Sequence, residues 1–458
     1  MILDVLLPGA FLLGILVFLH EAGHFLVAKL LKVPVYRFSL GFGPALAKFT
    51  RGETTYQLSA LPLGGYVSMA EERTNDAGEP ELIDRFGEEP WWKRVVIALA
   101  GPAANFVTGL VAVVIALAVG ISLPDFDPTL GPMPASSRAV TAYGLTEGTR
   151  LIAVDGRPVT SYQRFFESVQ AEGANAPMKL TVGSPGGAER TIEIPAADRA
   201  SVLSDFTPPE GSTRVGNVVL GTPAYLGGLQ TGDRVVSIGG TLVSKWSDLT
   251  DIVSKNAGNP LDFTVDRGGR LFHVTIKPEG PPTSDAWQGG KIGVEAARER
   301  NYVVKTPLRE AIAVAPKRSL EITAQTFKGL WTVFSHPKKS ASSLGGPQMI
   351  MQIAAENAKR GAGDFIWTLA VISFAIMAFN LLPLPVLDGG HIFLAAVEAV
   401  RRRPPTEAFT TAYQRVGLVF IGCFFVFVVF NDLNRFVQHR VAVQRNSNAP
   451  QGEVRPAR

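Results

Sequence analysis

The chain is poor in cysteine and histidine, with one cysteine, Cys423, and six histidines among 458 residues. A single cysteine excludes an intramolecular disulfide, a zinc site built from several cysteines and a Cys-X-X-Cys redox motif. Charged residues make up only 18% of the chain, and no basic stripe with interleaved aromatic residues is present, which argues against nucleic-acid binding. The apolar fraction of 46%, clustered in long runs, excludes intrinsic disorder.

Two long stretches contain no charged residue. Residues 95–124 run for 30 positions and residues 365–387 for 23 positions without Asp, Glu, Lys or Arg. A helix needs about 20 apolar residues to cross a hydrocarbon core about 30 Å thick, so each stretch predicts a membrane span. Two further spans are predicted, one in the apolar segment 1–31 and a short one at 416–430, with residues 407–415 at the membrane interface. The predicted fold is a polytopic α-helical membrane protein with four transmembrane helices in contact with the lipid bilayer.

The N-terminal segment has no basic residue before Lys29. A cleaved signal peptide begins with a positively charged region, so a retained helix is favoured over a signal peptide. Cytoplasmic loops are enriched in Lys and Arg, and the loop 29–94 and the arginine triplet 401–403 therefore predict that both loops are cytoplasmic and the N-terminus is outside. The basic tail 437–458 favours the opposite side; we give the two loops more weight.

The segment between the second and third spans contains an internal repeat. Residues 144–156 align with residues 228–240, and Gly, Leu, Gly, Arg and Gly recur in place. Each copy predicts a turn, a short strand, a glycine turn and a helix, such as one at 247–257. The proline-containing stretch 208–211 separates the copies, and 280–282 closes the second.

The second copy resembles the bacterial form of the PDZ domain through Gly221-Thr222-Pro223-Ala224, Gly228-Leu229 and Gly232-Asp233-Arg234-Val235. The first copy is degenerate, with Arg138-Ala139 in place of Pro-Ala and Thr149 in place of Asp. The resemblance implies two inserted α+β domains, at 125–207 and 208–282, that accept peptide termini by strand addition to a sheet edge. A role as spacers is the alternative.

His20-Glu21-Ala22-Gly23-His24 lies within the first predicted span. Residues i and i+4 share one face of a helix, so His20 and His24 can bind one metal ion, and Glu21 is placed to take a proton from a water. A catalytic zinc has three protein ligands and one open position. Residues 25–52 contain no acid, and Asp388, which follows the uncharged stretch 365–387, is the third candidate. His391 is interpreted as a structural neighbour.

The HExxH motif and the later Asn380-x-x-Pro-x-Pro-x-Leu-Asp388-Gly together resemble the site-2 protease family of intramembrane zinc metalloproteases, peptidase family M50. Four spans with a tandem PDZ-like insert resemble its RseP-like branch. The resemblance implies that His20, His24 and Asp388 bind Zn2+ and that Glu21 is the general base and later the acid. It implies that Asn380 hydrogen-bonds the substrate backbone; helix packing is the alternative.

Residues 56–67 resemble the membrane-associated β-loop of the family, which implies that Gly64, Gly65 and Tyr66 contact an unwound substrate strand. A simple cytoplasmic hairpin is the alternative. From the N-terminus, the sequence predicts spans one and two at 1–124 and PDZ-like domains at 125–207 and 208–282. An amphipathic connecting region follows at 283–363, with a break at 345–347. Spans three and four are predicted at 364–436 and a flexible tail at 437–458. The connecting region is interpreted as a surface helix shaping substrate entry or as a neutral linker.

The activity implied by the resemblance is hydrolysis of transmembrane segments of single-span membrane proteins, such as anti-sigma factors and remnant signal peptides. The implied location is the inner membrane of a bacterium, with the PDZ-like domains in the periplasm and the active site near the cytoplasmic side. A catalytically inactive, membrane-anchored PDZ scaffold is the alternative. A metal transporter is less favoured because the second span contains only Asn105, Thr108 and Ser122 as polar residues.

Overall fold

The structure, a computed structural model, describes residues 3–74, 80–171, 176–184, 187–207, 209, 213–219, 221–280, 289–297, 300–335 and 346–448. The helices are, in chain order, α1 (Leu3–Leu30), α2 (Trp91–Val119), α3 (Arg138–Tyr143), α4 (Tyr162–Ala171), α5 (Ala196–Asp205), α6 (Pro223–Leu226), α7 (Trp246–Lys255), α8 (Leu308–Ser335), α9 (Pro347–Arg360), α10 (Ala362–Asn380), α11 (Asp388–Arg401) and α12 (Glu407–Asn448). The strands are β1 (Arg37–Arg51), β2 (Thr54–Ser68), β3 (Ala70–Thr74), β4 (Pro80–Asp84), β5 (Ile121–Asp125), β6 (Arg150–Val154), β7 (Arg157–Pro158), β8 (Met178–Gly183), β9 (Glu189–Ile194), β10 (Val215–Val218), β11 (Arg234–Ile238), β12 (Thr241–Leu242), β13 (Leu261–Arg267), β14 (Arg270–Ile276), β15 (Val294–Ala296) and β16 (Arg300–Val304).

Two compact units divide the chain. One comprises Met1–Ser122 with Val304–Leu433, and the other comprises Leu123–Val303 with Asn434–Arg458. Within the described residues, α1, α2, α10 and α12 are the helices long and apolar enough to cross a membrane. The number of spans agrees with the sequence prediction. The inserted unit carries most of the short strands, so the membrane helices and the repeat are separate pieces of structure.

Helices α1 and α2 approach each other closely where both carry small residues. A Cβ on Gly23 would lie 2.5 Å from the carbonyl oxygen of Ala100 and 2.7 Å from the Cβ of Ala104. Within a bilayer, no hydrophobic driving force brings helices together. Small residues favour their association because they allow the backbones to pack at short range. The contact brings the HExxH face of α1 against the middle of α2.

Helix α10 packs on α2 and then ends before the chain turns back. A Cβ on Gly109 would lie 2.7 Å from the ring of Phe374, so the glycine makes room for this buried aromatic side chain. Helix α10 ends at Asn380 rather than continuing through the uncharged stretch. Pro383 and Pro385 account for the break, as predicted, because proline cannot donate the backbone hydrogen bond that a helix interior requires. Helix α11 then begins at Asp388.

Strands β1 and β2 form a bent antiparallel sheet directly after α1. The first part of β1, from Arg37 to Leu40, pairs with residues 55–58 of β2 on one side and residues 65–68 on the other. The later part of β1 pairs back on the start of β2, ending with Arg51 opposite Thr54. No described strand pairs with the outer side of residues 65–68, which therefore form an edge of the sheet.

The inserted unit contains two domains with the same strand order. The first sheet has the order β7-β6-β8-β9 and the second has the order β12-β11-β13-β14, all antiparallel. Each has its own buried core, centred on Phe165 in the first domain and Phe263 in the second. Each also places one helix, α4 or α7, after its short second strand, as the repeat predicted. The sequence repeat is thus a repeat of folded units.

The predicted end of the second domain at residue 282 is wrong. Strand β15 pairs with β10 through Val218 and Val294, and Ile292 is buried in the core of this domain. The domain therefore extends at least to Ala296. The error arises because the proline-rich stretch 280–282 reads as a linker, whereas the closing strand pairs with residues about 75 positions earlier; residues 281–288 and most of 208–211 lie outside the described residues.

In the connecting region, the described residues include the helices α8 and α9. Along α8, Ala311, Ala315 and Ser319 are buried, whereas Leu320 and Trp331 are exposed. The predicted break is present at Gly346, which precedes the first residue of α9; residue 345 lies outside the described part of the chain.

The predicted fourth span and tail need correction. Residues 407–415 and 416–430, predicted as an interfacial segment and a short span, belong to one continuous helix, α12, which runs on to Asn448. The predicted flexible tail from 437 is therefore helical up to that residue, and 449–458 are not described. Residues 431–448 contain no proline or glycine that would end the helix, a continuation that a hydropathy argument does not register. Within the inserted unit, His439 Nδ1 lies 2.7 Å from the carbonyl oxygen of Tyr225, and the two rings stack at 3.9 Å.

Candidate metal centre

Three side chains that were predicted as metal ligands meet in the membrane unit. His20 Nε2 lies 3.2 Å from His24 Nε2 and 3.2 Å from Asp388 Oδ2, and His24 Nε2 lies 3.2 Å from Asp388 Oδ1. Helix α1 supplies both imidazoles from one face because they are four residues apart. The aspartate is the first residue of α11, placed there by the proline-broken turn after α10. Two segments more than 360 residues apart in the sequence thus converge.

The spacing of these atoms fits a zinc ion. A tetrahedral site with ligands about 2.0–2.1 Å from zinc has neighbouring ligand atoms about 3.3–3.4 Å apart. Asp388 Oδ2 is buried and forms no hydrogen bond, although His20 Nε2 is only 3.2 Å away. His20 Nε2 and Asp388 Oδ2 therefore approach each other without the direction that a hydrogen bond needs. Such an arrangement is expected for donors that face a common cation.

The other ring nitrogen of His24 is fixed by α2. His24 Nδ1 lies 2.7 Å from the carbonyl oxygen of Ile97. A carbonyl oxygen only accepts hydrogen bonds, so Nδ1 carries the proton and the Nε2 lone pair is left for a metal. Helix α2 thus selects the tautomer that metal binding requires.

Gly101 forms a wall of the site, and the sequence alone predicted no role for it. A Cβ at this position would lie 2.2 Å from His24 Nε2 and 2.7 Å from His20 Cε1. The two imidazoles therefore rest directly on the α2 backbone. The only sequence signal was a glycine before a proline in an otherwise apolar span.

Glu21 lies between the metal cluster and the sheet. The backbone N–H of Val67 is directed to its carboxylate, and His20, His24 and Asp388 are its ionisable neighbours. A Cβ on Gly65 would lie 3.2 Å from Glu21 Cγ. The carboxylate therefore faces both the cluster and the edge strand, which is where a base must be to act on a water beside a bound peptide.

Asn380 is also brought to the cluster. Its Nδ2 atom lies 3.5 Å from His20 Nε2, at the outer limit of hydrogen-bond distance. The residue is the last of α10, directly before the proline-broken turn. Its predicted contact with the substrate backbone stays a prediction.

Gly64 and Tyr66 lie next to Gly65 on the edge strand. The Phe42 ring lies against the backbone of Gly64, and the Phe42 and Tyr66 rings stack at 6.2 Å with an angle of 9°. Stacked aromatic pairs of this kind contribute packing energy between neighbouring strands. His391 lies outside the cluster of three ligands; its ring is exposed and meets the edge of Phe86 at 5.5 Å.

Comparisons with known proteins identify the family of the chain. The family model of peptidase family M50 matches residues 8–424. Similar proteins include Protease RseP of Yersinia pestis, 31% identical over 445 residues, and Regulator of sigma-E protease RseP of Escherichia coli K12, 30% identical over 442 residues; in each case 92% of this chain and 97% of the relative are covered. Regulator of sigma-E protease RseP of Salmonella typhimurium is 29% identical over 440 residues, with the same coverage.

The chain belongs to peptidase family M50. The predicted family is confirmed, and with it the class of protein: a zinc metalloprotease of the membrane, active in intramembrane proteolysis. The family membership favours the enzyme over an inactive scaffold. Zn2+ is the cofactor of this enzyme class, and the donor set described above suits it.

Proposed function

We propose that this protease hydrolyses a peptide bond within or near the transmembrane segment of single-span membrane proteins, with His20, His24 and Asp388 as the zinc ligands. The observation that carries the proposal is the meeting of two imidazoles and one carboxylate, all ligand atoms within 4.8 Å of one another, among helices apolar enough to span a membrane. Buried ionisable groups in a membrane protein are costly and mark functional sites.

Zn2+ held by this set would supply Lewis-acid polarisation of a peptide carbonyl and would lower the pKa of a water to about 7. Glu21 takes one proton from the attacking water, whose oxygen forms the new bond to the carbonyl carbon. When the carbon–nitrogen bond breaks, Glu21 returns the proton to the leaving amine, so the products are a carboxylic acid and an amine. Asn380 donates a hydrogen bond to the substrate backbone and holds the carbonyl in place.

The edge strand of residues 65–68 receives the substrate. A peptide bond inside a helix is shielded by helical hydrogen bonds, so the substrate must be unwound before attack. An added strand recovers the lost backbone hydrogen bonds from the sheet, and among the described residues no strand covers this edge. Gly65 and Tyr66 contact the added strand, and Gly64 keeps the turn close to the Phe42 ring. Because Gly65 is beside Glu21, a strand paired here runs past the metal centre.

The two inserted domains act as PDZ-like domains. Their shared strand order and the sequence resemblance support this assignment. The second domain is the better candidate for binding peptide termini. In the first, Asp205 at the end of α5 accepts a hydrogen bond from the backbone N–H of Ala139, so its degenerate loop is already engaged within the domain.

The substrates we propose are anti-sigma-factor-like proteins and remnant signal peptides, because the relatives are named as regulators of sigma-E. The proposed location is the bacterial inner membrane, with the inserted domains in the periplasm and the active site near the cytoplasmic side. The basic loops 29–94 and 401–403 support this orientation.

The mechanism is tested with Glu21→Gln in the purified full chain. We expect this variant to bind zinc as the wild type does and to lose cleavage of a reporter that carries one transmembrane helix, because the amide cannot take a proton. Glu407→Gln, at the exposed start of α12, is the matched control and should cleave normally. Cleavage by Glu21→Gln at the wild-type rate would remove Glu21 from the mechanism.

A further inference from the structure

The imidazole of His20 has a second neighbour on the side away from the metal cluster. His20 Nδ1 lies 3.0 Å from the side-chain amide of Asn105, in the middle of α2. Asn105 is fully buried. A buried asparagine in an apolar membrane helix is costly unless its polar atoms are used, so this contact needs a physical reason.

The two ends of the Asn105 amide are used unequally. As placed, Nδ2 faces His20 and the buried Oδ1 has no hydrogen-bond partner. The oxygen and nitrogen of an amide exchange places by a half-turn without altering the contact distance, and chemistry has to decide between them. If Nε2 of His20 binds zinc with its lone pair, Nδ1 must carry the proton, and the facing amide atom must be the acceptor.

We propose that Asn105 is a positioning residue for the metal ligand His20, with its amide oxygen accepting a hydrogen bond from Nδ1–H. This inference rests on the proposed ligand set. His24, one turn further along α1, has the same arrangement. The carbonyl oxygen of Ile97 accepts a hydrogen bond from its Nδ1 at 2.7 Å. Metal-binding histidines commonly donate their second N–H to such an acceptor, which fixes both the tautomer and the ring orientation. Helix α2 thus provides one acceptor for each imidazole.

The backbone of Asn105 is itself held in place. Its carbonyl oxygen accepts a hydrogen bond of 2.7 Å from Ser373 Oγ on α10, and Ser373 is fully buried. The contact ties the residue that orients His20 to the helix that ends at Asn380. The backbone that carries the Asn105 side chain is therefore held in place, as a positioning residue requires.

The test separates an acceptor role from a donor role. Asn105→Asp keeps an acceptor of the same shape and removes the donor, and its negative charge is balanced by the zinc ion. Asn105→Leu keeps a similar volume and removes both. Zinc affinity is measured on the full chain by competition with a chelator. We expect Asn105→Leu to lose about 10–100-fold in zinc affinity and Asn105→Asp to stay close to the wild type or bind more tightly.

Two controls make the result specific. Thr108→Val removes a polar group from the same helix and should leave zinc affinity unchanged. His20→Ala should lose zinc; if it does not, the proposed ligand set fails rather than the inference about Asn105. Wild-type affinity in Asn105→Leu, or an equal loss in Asn105→Asp and Asn105→Leu, would overturn the acceptor role. If Asn105→Leu does not fold, the affinity of Asn105→Asp decides the question alone.

Discussion

Gly101→Ala tests how closely the metal site depends on the α2 backbone. The added methyl group would lie 2.2 Å from His24 Nε2, 2.6 Å from His24 Cε1 and 2.7 Å from His20 Cε1. Non-bonded heavy atoms prefer a separation of about 3.5–4.0 Å, so the helix or the imidazoles must move by about 1 Å or more. Rotation of the His24 ring would also break its hydrogen bond to the carbonyl oxygen of Ile97.

A displacement of this size at a catalytic group costs about 100-fold in rate. We therefore expect Gly101→Ala to lose about 100-fold in cleavage of a membrane-helix reporter and to bind zinc more weakly. Gly14→Ala is the control, because a Cβ there meets nothing within 4 Å. Alanine is also more favourable than glycine in a helix, by about 1 kcal/mol. Wild-type zinc affinity and activity in Gly101→Ala would refute the account of this wall.

Two further predictions concern the second inserted domain. Phe263→Ala should lower the free energy of opening of this domain by about 3–5 kcal/mol, because Phe263 is fully buried in its core; hydrogen exchange of β13 amides in the full chain measures the change, and exchange at the wild-type rate would contradict it. The hydrogen bond from Arg234 lowers the pKa of Asp266. A carboxyl whose pKa is lower in the folded state stabilises the fold above its unfolded pKa of about 3.9 and loses this effect as the pH falls through the folded pKa. The second domain should therefore be more protected from hydrogen exchange in the wild type than in Asp266→Asn near neutral pH, and the difference should shrink below about pH 4. A difference independent of pH would show that the lowered pKa of Asp266 is not its cause.

The clustering of His20, His24 and Asp388 could be predicted from the sequence because most of the information for it is local. His20 and His24 are one helical turn apart, and Asp388 follows a long uncharged stretch, where an acid needs a partner. The repeat could be predicted for a similar reason, since glycines at turns recur with the same spacing in both copies. In both cases the residue types and their spacing are enough to predict the feature.

The roles of Gly101 and Asn105 could not be predicted in this way. They arise from the contact between α1 and α2, whose facing residues are about 80 positions apart in the chain, and a glycine or asparagine in an apolar span has many uses. The end of the second domain was missed because strand β15 is defined by its distant partner β10. The length of α12 was missed because hydropathy marks the apolar centre of a helix and not its polar continuation.

Val386 marks a place where local preference is overruled. Its φ is 78°, which is unfavourable for a β-branched residue. The strained residue comes two positions before Asp388, in the turn that brings this aspartate to the histidines. Strain of this kind persists only where the surrounding structure imposes it and is frequent at functional sites.

The central claim is that Asp388 completes a zinc site with His20 and His24. Its most direct test is the zinc stoichiometry of the purified full chain for Asp388→Ala beside Glu21→Gln. We expect Asp388→Ala to lose the metal and Glu21→Gln to keep it, because only the first variant removes a ligand. Wild-type zinc content in a folded Asp388→Ala protein would show that Asp388 is not a ligand.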